Sequence, residues 1–340
     1  MQLERVTLKL LSERSGFDKS TISRVLRGDT TLSIRPENSE LIRRLADELG
    51  YVPNAAGRSL RSSRTYTLGA VIPSLQNPIH AQIVEGAYQV CVDLGYSLII
   101  VQATQPDKQI DALRQLVEKN RVEGILALTF RNELAKLDDL HKIDVPIAAV
   151  NWKAEGFENA ILFDDMKGGM LATQHLIDLG HRRIAHLSGD LLRFNAQERF
   201  AGYRQALDDA GIAFDPALVS MSGYSFDEGF AAMEDLLSRR GGKFTSVFAV
   251  SLLTAAGAIN ALRKHGVAVP EDVSVVGYHD GMLAHVITPS LSTISFPLAE
   301  MGRISARGMI DLLEGRRREF GAVVPGGTVV ARESSMAIVA

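Results

Sequence analysis

From Leu68 onward the chain repeats one alternation: a short apolar, β-branched segment, then a longer segment with apolar residues at helical spacing. The apolar segments are LGAVIPSL (68–75), YSLIIVQA (96–103), VEGILALT (122–129), VPIAAVNW (145–152), RIAHLSG (183–189), SVFAV (246–250) and DVSVVGY (272–278). Each is nearly continuous in its apolar character, so it predicts a strand buried on both faces. A chain achieves that by laying strands parallel and crossing over through helices. Helices are expected through IVEGAYQVCVDLG, DALRQLVEKN, 167–180, 196–211, 227–240 and 254–266. The run is longer than one typical sheet unit, so two similar α/β lobes, two doubly wound parallel sheets, are expected.

The first fifty residues follow a different pattern. TLKLLSERSG, DKSTISRVLRG and ENSELIRRLADELGY read as three short helices. Gly16 can take the left-handed conformation that ends the first, and Asp18 can cap the second. Two short helices joined by a Gly-containing turn form a helix-turn-helix pattern. In the second helix Ile22, Val25 and Leu26 share one face and leave Lys19, Ser20, Ser23, Arg24 and Arg27 on the other. Such donor-rich side chains suit a major groove, where hydroxyls reach phosphates and base edges and Arg reads guanine. A helical hairpin with a solvated basic face is the alternative. Thr7 and Thr21 complete the candidate DNA-contacting set in these helices.

Charge supports an anionic partner. Residues 1–66 hold twelve bases and eight acids, net +4, so the remaining chain carries −7 of the overall −3. Residues 53–66, PNAAGRSLRSSRTY, are small, polar and basic and read as a linker. Asn54 can cap a short helix there, and Leu60 lies between Arg58 and Arg61 with no apolar stripe to join. Leu60 is either a wedge for a minor groove, with the arginines on flanking phosphates, or a cover for the junction with the next domain.

Other classes have little support. There is no Gly-rich phosphate loop, G-x-S-x-G elbow or metal-spaced cluster, so no enzyme, cofactor or metal is expected. The single cysteine, Cys91, sits in an apolar run and reads as inert core. Charges interrupt the start of the chain where a secretory signal needs an apolar stretch, and no stretch reaches membrane-spanning length. The expectation is a cytoplasmic protein with no membrane partner.

VTLKLLSERSGFDKSTISRVLRG, ELIRRLADELGYVPNAAGRSLRSSRTYTLGAVIPSLQNPI, DLGHRRIAHLSG, ERFAGYRQAL, VPEDVSVVGYHD and TPSLSTISFPLAEMG together resemble the lactose-repressor (LacI/GalR) family of bacterial transcription regulators. The resemblance runs through nearly the whole chain. It implies an all-α helix-turn-helix headpiece (1–53), a hinge helix (54–66) that orders on operator DNA, and a periplasmic-binding-protein-like effector and dimerisation domain (67–340). The N-lobe would comprise about 67–165 and 295–324, the C-lobe about 166–294 and 325–340. By position Lys19, Ser20 and Arg24 match base-reading residues and Leu60 the minor-groove wedge. The family dimerises, which implies a homodimer on an inverted repeat, with a small molecule between the lobes setting operator affinity.

Open α/β folds bind ligands beyond the carboxyl ends of their strands. That rule and family position together single out Asn77, His80, Asn151, Trp152, Asp164, Arg199, Tyr224, Ser251, His279 and Asp280. Five departures from the family matter. Leu10 stands where an Asp usually pairs with Thr7, TTLSIRPENSE is about two residues long, and Gly57 replaces Ala in the hinge helix, costing roughly 1 kcal/mol of helix formation. Ser251-Leu252 replaces a frequent Asn-Asp pair, and His279 a frequent Asp, so the cleft loses acid. These changes favour a sugar acid, sugar phosphate or nucleobase over a neutral sugar. A regulator controlled by a protein co-repressor, or by no effector, stays open, and a solute-binding protein is the remote alternative.

Overall fold

The computed structural model describes residues 6–26, 29, 31–51, 64–119, 121–128, 143–153, 158–239 and 243–338. It divides into two compact units, Met1–Thr65 and Tyr66–Ala340.

Among its described residues the first unit holds three helices, α1 (Leu8–Ser15), α2 (Lys19–Leu26) and α3 (Pro36–Glu48). Gly16 ends α1 with φ 75° and returns its N–H to the Ser12 carbonyl. Asp18 then starts α2, its Oδ1 accepting the N–H groups of Ser20 at 2.8 Å and Thr21 at 3.0 Å. Those two caps turn the chain between helices, so that Leu11, Ile22, Val25, Ile42 and Ala46 meet in one small core. Pro36 opens α3, where its missing N–H costs nothing.

The second unit contains two six-stranded sheets. The described elements of the first lobe are β1 (Thr67–Ile72), α4 (Pro78–Asp93), β2 (Ser97–Gln102), α5 (Pro106–Glu118), β3 (Gly124–Leu128), β4 (Ile147–Val150) and β5 (Ala160–Phe163). The chain crosses over after Phe163 and builds the second lobe from α6 (Asp165–Asp178), β6 (Ile184–Leu187), α7 (Phe194–Asp209), β7 (Val219–Ser220), α8 (Phe226–Ser238), β8 (Ser246–Ala249), α9 (Leu252–Lys264), β9 (Ser274–Tyr278), α10 (Met282–Val286) and β10 (Ser292–Ser295). It returns through α11 (Leu298–Leu313) and β11 (Ala322–Val324) to the first lobe, then enters the second as β12 (Thr328–Val330). Strand orders are β11-β5-β4-β3-β1-β2 and β12-β10-β9-β8-β6-β7. The two lobes repeat one doubly wound order, which places a crevice at the carboxyl ends of each sheet's central strands.

One sheet differs from the all-parallel expectation: β12 pairs antiparallel with β10. It is a three-residue edge strand, TVV, too short between Gly327 and the polar ARESS to read as an apolar run. β5, β7, β10 and β11 were also not foreseen as strands. β10, STIS, is polar yet buried because Ser334 and Arg332 hydrogen-bond its backbone and hydroxyl groups. α6 and α9 begin two residues earlier than read, because Asp164 and Ser251 serve as caps.

Paired glycines set the helix packing. A Cβ at Gly86 would lie 1.8 Å from the Ala299 carbonyl oxygen, and one at Gly302 1.8 Å from that of Ile83, so α4 and α11 touch backbone to backbone. Gly169 and Gly202 do the same between α6 and α7. At the crossovers, Phe163 and Phe296 rings lie 4.7 Å apart and Tyr278 lies 5.3 Å from Phe296. The core therefore runs unbroken from one lobe into the other.

Candidate functional site

In the helical unit, α2 buries Ile22 and Val25 and turns Lys19 and Ser20 to solvent. The Asp18 carboxylate takes the hydroxyl protons of Ser20 at 2.6 Å and Thr21 at 2.5 Å. These bonds hold Asp18 well below the usual carboxylate range, and each hydroxyl then presents only lone pairs to a ligand. Arg24 folds back on the loop behind α2: its Nε donates to Asp29 Oδ2 at 2.7 Å and its Nη2 to Thr31 Oγ1 at 3.0 Å. Ser23 is half-buried on the same helix. Thr7 caps α1, accepting from the Leu10 N–H at 3.4 Å. Arg27, Asn54, Arg58, Leu60 and Arg61, and with them Gly57, lie outside the described residues.

In the α/β unit a cavity of about 460 Å³, open mouth included, lies between the lobes. The first lobe lines it with Pro73, Asn77, Ile79 and His80 after β1, and Asn151 after β4. The second contributes Arg193, Asn195 and Arg199 after β6, Tyr224 after β7, Ser251 after β8 and His279 after β9. Every one of these residues follows the carboxyl end of a strand, as the topology demands.

Two of them adopt left-handed backbone conformations without being glycine: Asn151 at φ 60° and His279 at φ 66°. Such conformations persist only where the surroundings enforce them, and they gather at ligand sites. Both residues are buried, and among the described residues Asn151 Oδ1 and His279 Nε2 have no hydrogen-bond partner.

Arg199 is the base of the cavity. Its Nε donates to Asp165 Oδ1 at 2.8 Å and its Nη1 to the Val250 carbonyl at 2.9 Å. The guanidinium carbon sits 3.9 Å from the centre of the Tyr278 ring. Close passage of Gly169 beneath the Arg199 backbone brings α7 near enough to α6 for this ion pair to form. Arg199 is 1 % exposed, and among the described residues its Nη2 is left without a partner. A buried donor of this kind costs free energy unless a ligand or water completes it. Burial lowers the pKa of His279, as do Arg199 and His80. Burial also lowers that of His80, with Arg193 adding to it, although His80 Nδ1 bonds the Ser74 carbonyl at 2.8 Å.

Of the ten effector candidates, Asn77, His80, Asn151, Arg199, Tyr224, Ser251 and His279 line the cavity. Three do not. Trp152 is packed in the first lobe's core, its Nε1 donating to the Ala127 carbonyl at 2.7 Å. Asp164 is an exposed helix cap that accepts from the Lys167 N–H. The Asp280 carboxylate is taken by Thr293 at 3.0 Å and Arg332 at 2.8 Å. Pro73, Ile79, Arg193 and Asn195 were missed, although the rule of carboxyl-end loops covers them. Arg193 lies 5.5 Å from the Tyr224 ring centre, and Asn195 accepts the Tyr224 hydroxyl at 3.0 Å.

Among the described residues, no three His, Cys, Asp or Glu side chains gather into a metal-binding group, and no helix is long and apolar enough to cross a membrane.

Comparison with known proteins joins the two units. Residues 173–335 match the periplasmic binding protein-like domain. Over 329 residues the chain is 32% identical to the ribose operon repressor of Haemophilus influenzae, spanning 96% of this chain and 98% of that one. A solved complex of the transcriptional regulator CelR with cellobiose is 32% identical, with a TM-score of 0.74 over 97% of this chain and 100% of that one. The lac repressor dimer bound to operator and the anti-inducer ONPF is 25% identical, with a TM-score of 0.86 over 98% and 100%. With helix-turn-helix unit, two-lobed α/β unit and these relatives matched along nearly the full length, the chain belongs to the LacI family of transcriptional regulators.

Proposed function

We propose that the chain is a repressor whose hold on an operator is set by a small metabolite bound between the two lobes. The observation that carries this reading is the cavity itself, lined from both lobes and holding three buried polar side chains with unpaired atoms, Asn151, Arg199 and His279. A ligand completing bonds to Asn151 on one lobe and Arg199 on the other stabilises one lobe arrangement over another, which is what an effector must do. The relatives' names point the same way: one represses a ribose operon and another was solved with cellobiose.

The working division is a headpiece at 1–53, a hinge at 54–66 and an effector and dimerisation domain at 67–340. Lys19, Ser20 and Arg24 read bases, Arg27, Arg58 and Arg61 contact phosphates, Leu60 enters the minor groove, and Thr7, Thr21, Ser23 and Asn54 complete the candidate set. Two copies read an inverted repeat. The exposed apolar side chains of Tyr88 and Val92 on α4, and Met282 and Val286 on α10, support self-association.

The test is selection of random duplex DNA on the full-length protein at moderate salt. Enrichment of an inverted repeat supports the reading and supplies a probe. Operator release, or its strengthening, by a metabolite fraction then tests effector control, and an operator affinity indifferent to every fraction would overturn that part.

A further inference from the structure

The lining of the cavity has a one-sided charge. Two guanidiniums, Arg193 and Arg199, face it, and among the described residues no carboxylate does. The acids that balance them stand behind: Asp165 on the Nε edge of Arg199 at 2.8 Å, and Asp190 beside Arg193 at 3.6 Å. Asp164 and Asp280, the other acids of these loops, are committed to a helix cap and to Arg332. The edge of Arg199 left for a ligand is its unpaired Nη2. A sugar hydroxyl is usually held by a carboxylate, which accepts its hydrogen bond; the described lining has none to offer.

We infer that the effector is a small polyhydroxylated anion, a sugar acid or sugar phosphate, whose oxyanion docks on the free edge of Arg199. This deepens the effector reading and rests on it. A guanidinium and an oxyanion make a charge-assisted bond, stronger than the neutral bond a hydroxyl makes to the same donor. Arg keeps its charge at every physiological pH, so the preference does not depend on titration. Asn77, Asn151, Asn195 and Ser251 supply amides and a hydroxyl for the remaining oxygens, and the faces of Tyr224 and Ile79 supply the apolar walls on which a sugar's C–H groups rest. His279 sharpens the argument: it is buried at φ 66°, a conformation Asp tolerates better than most residues. One substitution can therefore place the missing acid in the lining.

Full-length protein is titrated with matched pairs at constant ionic strength: ribose and ribose 5-phosphate, glucose and gluconate, galactose and galacturonate, and inorganic phosphate alone. Thermal stabilisation gives the affinity of each, and the two anion types separate a phosphate site from a carboxylate site. The expected result is that at least one anionic member binds about tenfold or more tightly than its neutral partner, and that His279→Asp reduces or reverses that preference. Equal or stronger binding of the neutral members overturns the inference and leaves effector control standing. Silence from every pair and from phosphate also overturns it, and effector control is then judged on the operator-release assay alone. The far-ultraviolet spectrum of the variant, matched to that of the parent, shows that a lost preference is not lost folding.

Discussion

Arg199 and Asp165 form an ion pair of 2.8 Å in which neither side chain is more than 2 % exposed. Burial drives the Asp165 carboxyl upward while the guanidinium beside it opposes that shift. Replacing Arg199 with Met strands a buried acid, and the cost expected is about 3–5 kcal/mol of stability in urea unfolding. Arg199→Met with Asp165→Asn should recover part of the loss. A double variant no more stable than the single one would show that the pair is not the reason.

Gly302 meets the Ile83 carbonyl where α11 crosses α4. Gly302→Ala forces the two backbones apart, and a loss of about 1–3 kcal/mol or more is expected from urea unfolding. Gly95, with open space around it, is a useful contrast: its φ of 74° makes Gly95→Ala a backbone-strain variant that leaves helix packing alone. If Gly302→Ala unfolds like the parent, the helices are not in contact.

His186 is wholly buried between the rings of Phe200, Tyr203 and Phe248, with Nδ1 on the Phe248 carbonyl at 2.9 Å. Burial lowers its pKa to about 4 from an ordinary 6.5. Between those values the unfolded chain binds a proton that the folded one refuses, so stability rises with pH through this window and is level above it. Falling from pH 6.5 to 4 should remove up to about 3 kcal/mol through this group. His186→Phe, whatever its own baseline, should flatten the slope of Tm against pH; the slope that remains belongs to groups such as His80 and His279, whose pKa values are lowered too. An unchanged slope would clear His186.

Asp18 caps α2 and ties Ser20 and Thr21 to it. Asp18→Ala should lower the melting of the helical unit and leave the α/β unit's transition in place, read by calorimetry of the full chain. A shift of the larger transition instead would mean that the cap acts elsewhere.

Arg24 offers a test of reading against anchoring. If it reads a base, Arg24→Ala costs about 1–3 kcal/mol of operator affinity and relaxes selection at one base pair. A uniform loss over all sequences would make it a phosphate contact. Asp29→Ala, which frees the guanidinium, should change operator affinity in a way that disappears in the Arg24→Ala background.

Much of this protein is written in local sequence. Val71, Ile125, Ala149, Val247 and Val275 lie in strands buried on both sides, so their text is nearly continuously apolar and the parallel, doubly wound lobes follow. Gly16 and Asp18 announce the turn between α1 and α2, because left-handed backbone and N-capping are properties of single residues. Seven cavity residues were legible from strand ends and family position. What tertiary structure decided was the use of each polar or aromatic group. Trp152 and Asn151 are neighbours in sequence, yet one is core and the other cavity: the left-handed backbone at Asn151 ends β4 there, and Trp152 is held in the core by its bond to the Ala127 carbonyl. Ser292 and Thr293 form a strand by pairing with β9 and β12, and Arg332 and Ser334 satisfy their polar groups. Arg199 was marked as a contact from sequence, but its free Nη2 exists because Asp165 and Val250 occupy its other two edges. Burial, pairing and the vacancy left over depend on groups brought together from distant parts of the chain, and no local pattern encodes them.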